Sequence, residues 1–423
     1  MRLAPEPYHS SQLWFAAVAT WLTHRLTSLD GLDLRILGAL FSALIGLLVS
    51  GIAMLVPGRL AAKLVVAVAL TLVLADGAFA GYLVSAYSEP AAFVGIMLLV
   101  LAVLVLLRTE QVRWWQLALL AAATMLTVTA KTQAASVVVP VVLVLLVRPS
   151  WGAPVAERMG AAVGQRWLRR LGTRSRAFAL SRWPAGLLAA GLLMGTVGYL
   201  GAQPERFRVQ NDYAAVFIEM LPNSPDPAGD LAALGLPASV LDSSGVPINA
   251  SGSAAARLDH QELSAQAGLL QRLQVYAGSP FRLAGMFERG AVGMTQLRVD
   301  YVSSYPQSAG LGPDQQECRV CVLSALWTAA FAGRAMLLVL LVIGCLAVCA
   351  FTACSRPDRH ARAVGGVGVF LVIGLVTQFW VVVLTDGASD LVKHLVVTNL
   401  MTALLLVVTG ASVRCLRHDR RAA

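Results

Sequence analysis

Residues 82–108 read YLVSAYSEPAAFVGIMLLVLAVLVLLR. From Pro90 to Leu107 no side chain is charged or polar. A hydrocarbon core of about 30 Å is crossed by roughly 20 apolar residues, so this run is a membrane span. The stretch before it is different in kind: Tyr82, Ser85, Tyr87, Ser88 and Glu89 form a polar, aromatic loop at the mouth of the span. Pro90 suits the first turn of the following helix, with Ser88 as its cap. The rest of the chain agrees. Of 423 residues, 57 % are hydrophobic and only 13 % charged, and the mean hydropathy is +0.70. Soluble domains carry about 25 % charged residues. The composition therefore excludes a soluble multidomain protein and predicts an α-helical polytopic membrane protein.

Working outward, about nine spans are predicted: 36–56, 60–79, 90–107, 114–130, 133–147, 184–200, 335–354, 365–385 and 391–413. The fourth and fifth are short and separated only by Lys131 and Thr132, as a tight hairpin or a re-entrant pair. Residues 201–333 are too polar to span and too long for a linker, and are read as one folded, mixed α/β domain. His260–Gln274 reads as a helix, the segment from Ser279 starts another, and Val216–Leu221 fits strand or helix. The organisation is thus an interfacial segment 1–34, a transmembrane core 35–200, the domain 201–333, and C-terminal helices with a basic tail 334–423.

The net charge of +10 comes almost wholly from arginine, since the lysines are Lys63, Lys131 and Lys393. The 148–183 connection holds Arg148, Arg158, Arg166, Arg169, Arg170, Arg174, Arg176 and Arg182 against the single acid Glu157. Arg59 and Lys63, Arg108 and Arg113, Arg356, Arg359 and Arg362, and the tail from Arg414 fall on the same side if the nine spans hold. Positive loops mark the cytoplasm, so the charge is a topogenic signal and no nucleic-acid partner is expected. The same count places 201–333 outside, with 12 acids against 8 bases, and the C-terminus inside. It also places residues 1–34 outside without a signal peptide, which predicts a first helix upstream of Met1. Residues 10–28, with Trp14, Trp21, His24 and Arg25, read as a helix in the outer interface, capped by Ser10 or Ser11. Cys318 and Cys321 are either an isolated disulfide or an incidental pair.

Polar residues at span ends are costly and therefore informative. Three loops of the same side supply them: Asp76, Tyr82, Ser85, Tyr87 and Glu89; Lys131 and Gln133; and Asp386, Asp390, Lys393 and His394. Asp390, Lys393 and His394 stand at i, i+3 and i+4, on one helix face. A carboxylate in this setting serves as general base, and lysine holds phosphate as a compact cation. That set suits transfer of a sugar from a lipid phosphate. The plainer alternatives are solvated loop acids, a turn lysine at 131, a structural His394 and a Lys393 that snorkels to the interface.

At these residues the chain resembles the multi-pass GT-C superfamily of glycosyltransferases, more narrowly the bacterial hexose transferases of glycan biosynthesis. The likeness is carried by Tyr82-Leu-Val-Ser-Ala-Tyr-Ser-Glu-Pro90, by Ala130-Lys-Thr-Gln133, by Val216–Pro237 and by Asp390-Leu-Val-Lys-His-Leu395 with Asn399, and spans nearly the whole chain. It implies a polyprenyl-phosphate-hexose donor, an envelope glycan acceptor, a bacterial plasma membrane and transfer on the extracytoplasmic face. Glu89 and Asp76 are then the candidate catalytic residues. Lys131, Gln133, Lys393 and His394 are candidates for the lipid-carrier phosphate, and Tyr82, Ser85, Tyr87 and Asp390 for substrate. No cofactor or metal is expected. In the superfamily the catalytic acid lies in the loop after the first span, where this chain offers only Glu6, Asp30 and Asp33. A non-catalytic assembly protein and, less well, a transporter are the competing readings.

Overall fold

The computed structural model of the chain describes residues 8–147, 183–305, 307–312 and 315–419. The arginine-rich 148–182 connection lies outside the described residues, as do Glu6, Arg420 and Arg421.

Helix α1 (Gln12–Leu26) is followed by α2 (Leu34–Leu55), α3 (Leu60–Ala75), α4 (Gly77–Leu83), α5 (Glu89–Arg108), α6 (Trp114–Val128), a 3₁₀ segment (Thr132–Val137) and α7 (Val138–Val147). After the undescribed connection come α8 (Trp183–Gly201), α9 (Glu205–Tyr213), a π-helical turn (Ala214–Met220), α10 (Pro227–Ala233), α11 (His260–Gln266), α12 (Leu269–Ala277), α13 (Pro280–Met294) and α14 (Val322–Phe331). The chain closes with α15 (Ala335–Ser355), α16 (Arg359–Thr385), α17 (Leu391–His394) and α18 (Val396–Asp419).

Six helices among the described residues are long and apolar enough to cross a membrane: α2, α5, α8, α15, α16 and α18. The pair α3–α4, bent by 69°, makes a seventh if it counts as one span. The expectation of nine is corrected by length. At 1.5 Å per residue the 15 residues of α6 reach only about 22 Å. The segment after Lys131 begins as 3₁₀ helix, and its 6 residues of 3₁₀ and 10 of α-helix reach about 27 Å, also short of a full core. This is the short paired arrangement that the sequence left open between hairpin and re-entrant loop. The second correction concerns 201–333. Among its described residues there is no strand, only one isolated bridge between Ser304 and Gln316. Its segments are rich in Ala, Leu, Gln, Arg and Glu, strong helix formers without period-two alternation. The ambiguous Val216–Leu221 falls in the π-helical turn and its C-cap, Leu221, and the long helix expected from His260 is split between α11 and α12.

α5 is the central post. Of its apolar window 78 % is buried inside the protein, against 22 % for α15 at the periphery. Polarity does not distinguish the two, since both are apolar on all faces. Close approach is made by glycine: a Cβ on Gly365 of α16 would stand 2.5 Å from the Cys349 carbonyl of α15, the small-residue contact that lets membrane helices pack without a hydrophobic drive. α1 packs through Ala19 and Thr23, with Phe15 on Phe41 of α2, and leaves Trp14 and Trp21 exposed. Ser10, rather than Ser11, accepts the Gln12 N–H, while the Ser11 hydroxyl donates to the Leu126 carbonyl. Cys318 and Cys321 are joined in a disulfide.

The two ends of the bundle differ. At one end Arg108 donates to the Leu55 carbonyl and to His360, Arg359 pairs with Glu110, and Arg356 donates to the Leu416 carbonyl. At the other end the start of α5, the tip after α6 and the α16–α18 connection converge.

Candidate functional site

Those three loops line one cavity of about 340 Å³. Tyr87, Ser88 and Glu89 come from the start of α5, Lys131 to Gln133 from the hairpin tip, and Asp386, Ser389, Asp390, Lys393 and His394 from the α16–α18 connection. Tyr8 and one face of α9 close it.

The floor is a buried ion pair. Lys131 Nζ lies 2.8 Å from Glu89 Oε1, with side chains 10 % and 2 % exposed. The other carboxylate oxygen, Glu89 Oε2, is buried without a hydrogen-bond partner, as is Gln133 Oε1. Burial pulls the Lys131 ammonium down, but the facing Glu89 carboxylate outweighs it and holds the group above its ordinary range. Lys131 is therefore a fixed cation with one of its three donors committed.

Beside it, Gln133 Nε2 donates to Asp386 Oδ2 at 2.7 Å and lies 3.4 Å from His394 Nδ1. His394 Nδ1 stands 3.5 Å from Asp386 Oδ2. Burial, then the charges of Lys131 and Lys393, drive the imidazole far below its usual range. His394 is thus neutral, and its contact with Asp386 is not an ion pair. Burial pushes the Asp386 carboxyl up to about 6, against the pull of Lys131 and of the Gln133 and Thr385 donors. On the far wall, Lys393 Nζ sits 4.1 Å from the Tyr87 ring centroid and 3.6 Å from Asp390 Oδ2. Asp390 adopts a left-handed backbone, φ +52°, and accepts the Tyr301 hydroxyl on both oxygens, at 2.5 and 2.6 Å.

Of the residues singled out in the sequence, Tyr87, Glu89, Lys131, Gln133, Asp390, Lys393 and His394 line this cavity. Tyr82 and Ser85 do not. Tyr82 is buried, its ring edge-on to Phe93. Ser85 Oγ donates to the Tyr82 carbonyl and accepts the Tyr87 N–H, which shapes the turn. Ser88 holds the cap position of α5 without a side-chain cap bond.

Asp76 is also elsewhere, fully buried at the α3–α4 bend. Its carboxylate accepts the Ala78 N–H at 3.0 Å, the Ser324 N–H at 3.0 Å and the Ser324 hydroxyl at 2.8 Å. It thus caps α4 and the first turn of α14 together, and its loss would orphan the Ala78 and Ser324 N–H groups, while the Ser324 hydroxyl keeps the Cys321 carbonyl at 3.3 Å. Asp76→Ala is expected to cost about 2 kcal/mol or more. The midpoint of thermal unfolding in detergent reads this; an unshifted midpoint would mean the double cap contributes nothing.

Three contributions went unassigned. Asp386 was seen in its loop but given no role. Tyr301 approaches from 89 residues away in sequence. Phe207, Gln210, Asn211 and Ala214 also line the cavity, and their i, i+3, i+4, i+7 spacing is a single helix face, a signal that was legible. Phe207 packs on Tyr8 at 4.9 Å between centroids, and the Tyr8 hydroxyl accepts the Thr132 N–H. Among the described residues no cluster of three or more His, Cys, Asp or Glu could hold a metal.

The titration of Asp386 has a readable consequence. Above about pH 6 the cavity holds its negative charge; below, the carboxyl is neutral, while Lys131 stays charged and His394 neutral. A phosphodiester anion, whose own charge is constant over this range, should bind about fivefold tighter at about pH 5 than at about pH 7.5. Asp386→Asn should bind tightly at both. Calorimetric titration with a short-chain prenyl phosphodiester checks this, and a wild-type affinity flat across the range would contradict it.

No curated protein and no solved structure matches this sequence. A family model described as the YfdI N-terminal transmembrane domain matches residues 2–422. A multi-pass helical chain matched across virtually all its length by that model belongs to the YfdI N-terminal transmembrane domain family.

Proposed function

We propose that this chain is a membrane glycosyltransferase that moves a hexose from a polyprenyl-phosphate carrier to a cell-envelope glycan. The observation that carries the reading is the Glu89–Lys131 pair in the floor of the cavity, with Glu89 Oε2 left unpartnered. A buried carboxylate oxygen without a partner is a vacant acceptor, and a hydroxyl nucleophile is the ligand that fills it and needs its base. Lys131 balances the carboxylate charge and keeps two donors for a phosphate oxygen. Lys393, held over Tyr87, supplies a second cation, and Gln133 Oε1 a place for a sugar hydroxyl. In the reaction the bond from the sugar anomeric carbon to the phosphate oxygen breaks. The acceptor oxygen bonds to that carbon, its proton passes to Glu89 Oε2, and the leaving phosphate takes the electron pair beside the lysines. Asp76, spent on two helix caps, has no part in this scheme.

The cavity end faces the cell exterior in this reading, because the arginines of the short loops between spans, Arg108, Arg356 and Arg359, lie at the opposite end of the bundle and positive short loops stay cytoplasmic. The host is then a bacterial plasma membrane, with residues 201–333 extracytoplasmic. The alternative, a non-catalytic assembly protein, draws on the same pair: a salt bridge this well buried is also what a structural pin looks like. The two readings part on the variants argued in the Discussion, assayed with a polyprenyl-phosphate hexose and an envelope glycan.

A further inference from the structure

A second, larger cavity of about 760 Å³ lies between the α2–α3 turn, α3, α14 and α18. Its walls are apolar along their length, Ala62 and Ala69 of α3 facing Ala403, Val407 and Gly410 of α18, and no carboxylate lines it. At one end stands Arg414. Its guanidinium packs against Gly58, where a Cβ would meet Nη2 at 3.0 Å. Arg414 is exposed and makes no hydrogen bond or ion pair among the described residues. Arg59, next to Gly58 and also exposed, puts a second cation on the same turn.

Two properties identify the occupant. From Ala61 to Val73 the groove runs along α3 for about 18 Å at 1.5 Å per residue, close to the roughly 15 Å of one leaflet of a 30 Å hydrocarbon core. An apolar void at that depth forfeits dispersion contacts on its walls until hydrocarbon fills it. The cation at its end, without an anion among the described residues, matches a phosphodiester, which a guanidinium grips through two parallel hydrogen bonds.

We propose that this groove binds one acyl chain of an anionic glycerophospholipid, with the headgroup phosphate on Arg414. It sits at the arginine-rich end of the bundle, so it is a different site from the polar cavity and does not depend on the reaction assigned there. Zwitterionic lipids share the phosphate but carry their own cation, which competes with Arg414 and sets the selectivity.

Native mass spectrometry of the full chain, released from detergent containing equal phosphatidylglycerol and phosphatidylcholine, tests this. One retained phosphatidylglycerol is expected, favoured about fivefold, the worth of one arginine at an anionic surface. Arg414→Gln should bring the two lipids to parity. Gly410→Phe should remove both. A Cβ at Gly410 meets no atom within 4 Å, so the side chain starts into open space, and an unchanged unfolding midpoint without lipid verifies that the fold is kept. Retention of lipid by Gly410→Phe, or undiminished preference in Arg414→Gln, overturns the proposal. So does displacement of phosphatidylglycerol by polyprenyl phosphate with the same dependence on Arg414, since the groove would then hold a prenyl chain.

Discussion

Lys131→Met should abolish hexose transfer, with a loss of about a thousandfold or more. Two effects combine. Removing a cation from the leaving-group side costs on the order of 10²–10³. Removing the partner of a buried carboxylate also leaves Glu89 uncompensated at 2 % exposure, so it takes up a proton and ceases to be a base. Glu89→Gln removes the base directly and should cost about 10²–10⁴. Loss of activity alone does not separate catalysis from collapse, because breaking a buried pair costs about 3–5 kcal/mol in stability. The double variant Glu89→Gln/Lys131→Met separates them. It restores neutrality, so its unfolding midpoint should return most of the way to that of the parent chain while transfer stays absent. If the double variant transfers sugar at the parent rate, the pair is a structural pin and the proposed base is wrong.

Arg272→Ala is expected to carry an equally large stability cost, about 3–5 kcal/mol. Arg272 is 1 % exposed. It donates to Asp212 Oδ1 at 2.8 Å, to the Ala267 carbonyl at 2.6 Å and to the Leu384 carbonyl at 3.2 Å. It therefore ties α9, which lines the cavity, to the end of α16, two residues before Asp386. Burial raises the Asp212 carboxyl even with Arg272 in place, so loss of the guanidinium leaves it the more costly to ionise. The expected result is a chain that elutes as aggregate on gel filtration in detergent. Arg272→Leu with Asp212→Leu should recover much of the fold, because a neutral apolar pair of similar volume replaces both charges. A monodisperse Arg272→Ala with an unchanged midpoint would remove this strut from the account.

The membrane character and the three site loops were legible because each signal is local. The run after Pro90 is long and apolar, and Glu89, Lys131 and the 390–394 triplet stand at span ends where polarity is expensive. What escaped was long-range. Asp76 looks in sequence like Glu89, a carboxylate at a span end, and only the packing of α14, 248 residues away, makes it a cap. The number of spans was overcounted because hydropathy registers composition, not the broken geometry at Asp76 or the shortness of the two legs around Lys131. The helical character of 201–333 was hidden by its polarity, which fits loops and strands as well as short helices. The strand expected there had no alternating pattern to support it.

The short legs around Lys131 also bear on the lipid. α6 climbs about 22 Å from the arginine-rich end before the chain turns at Lys131, several ångströms less than a typical hydrocarbon core. Hydrocarbon beside this hairpin must thin or tilt to match it, at a fraction of a kcal/mol per ångström of mismatch. In the proposed reading a carrier phosphate drawn to the lysine then sinks with its leaflet instead of being lifted out of it, and the thinning stays local, because α5 and α16, at 20 and 27 residues, are long enough to cross a full hydrocarbon core.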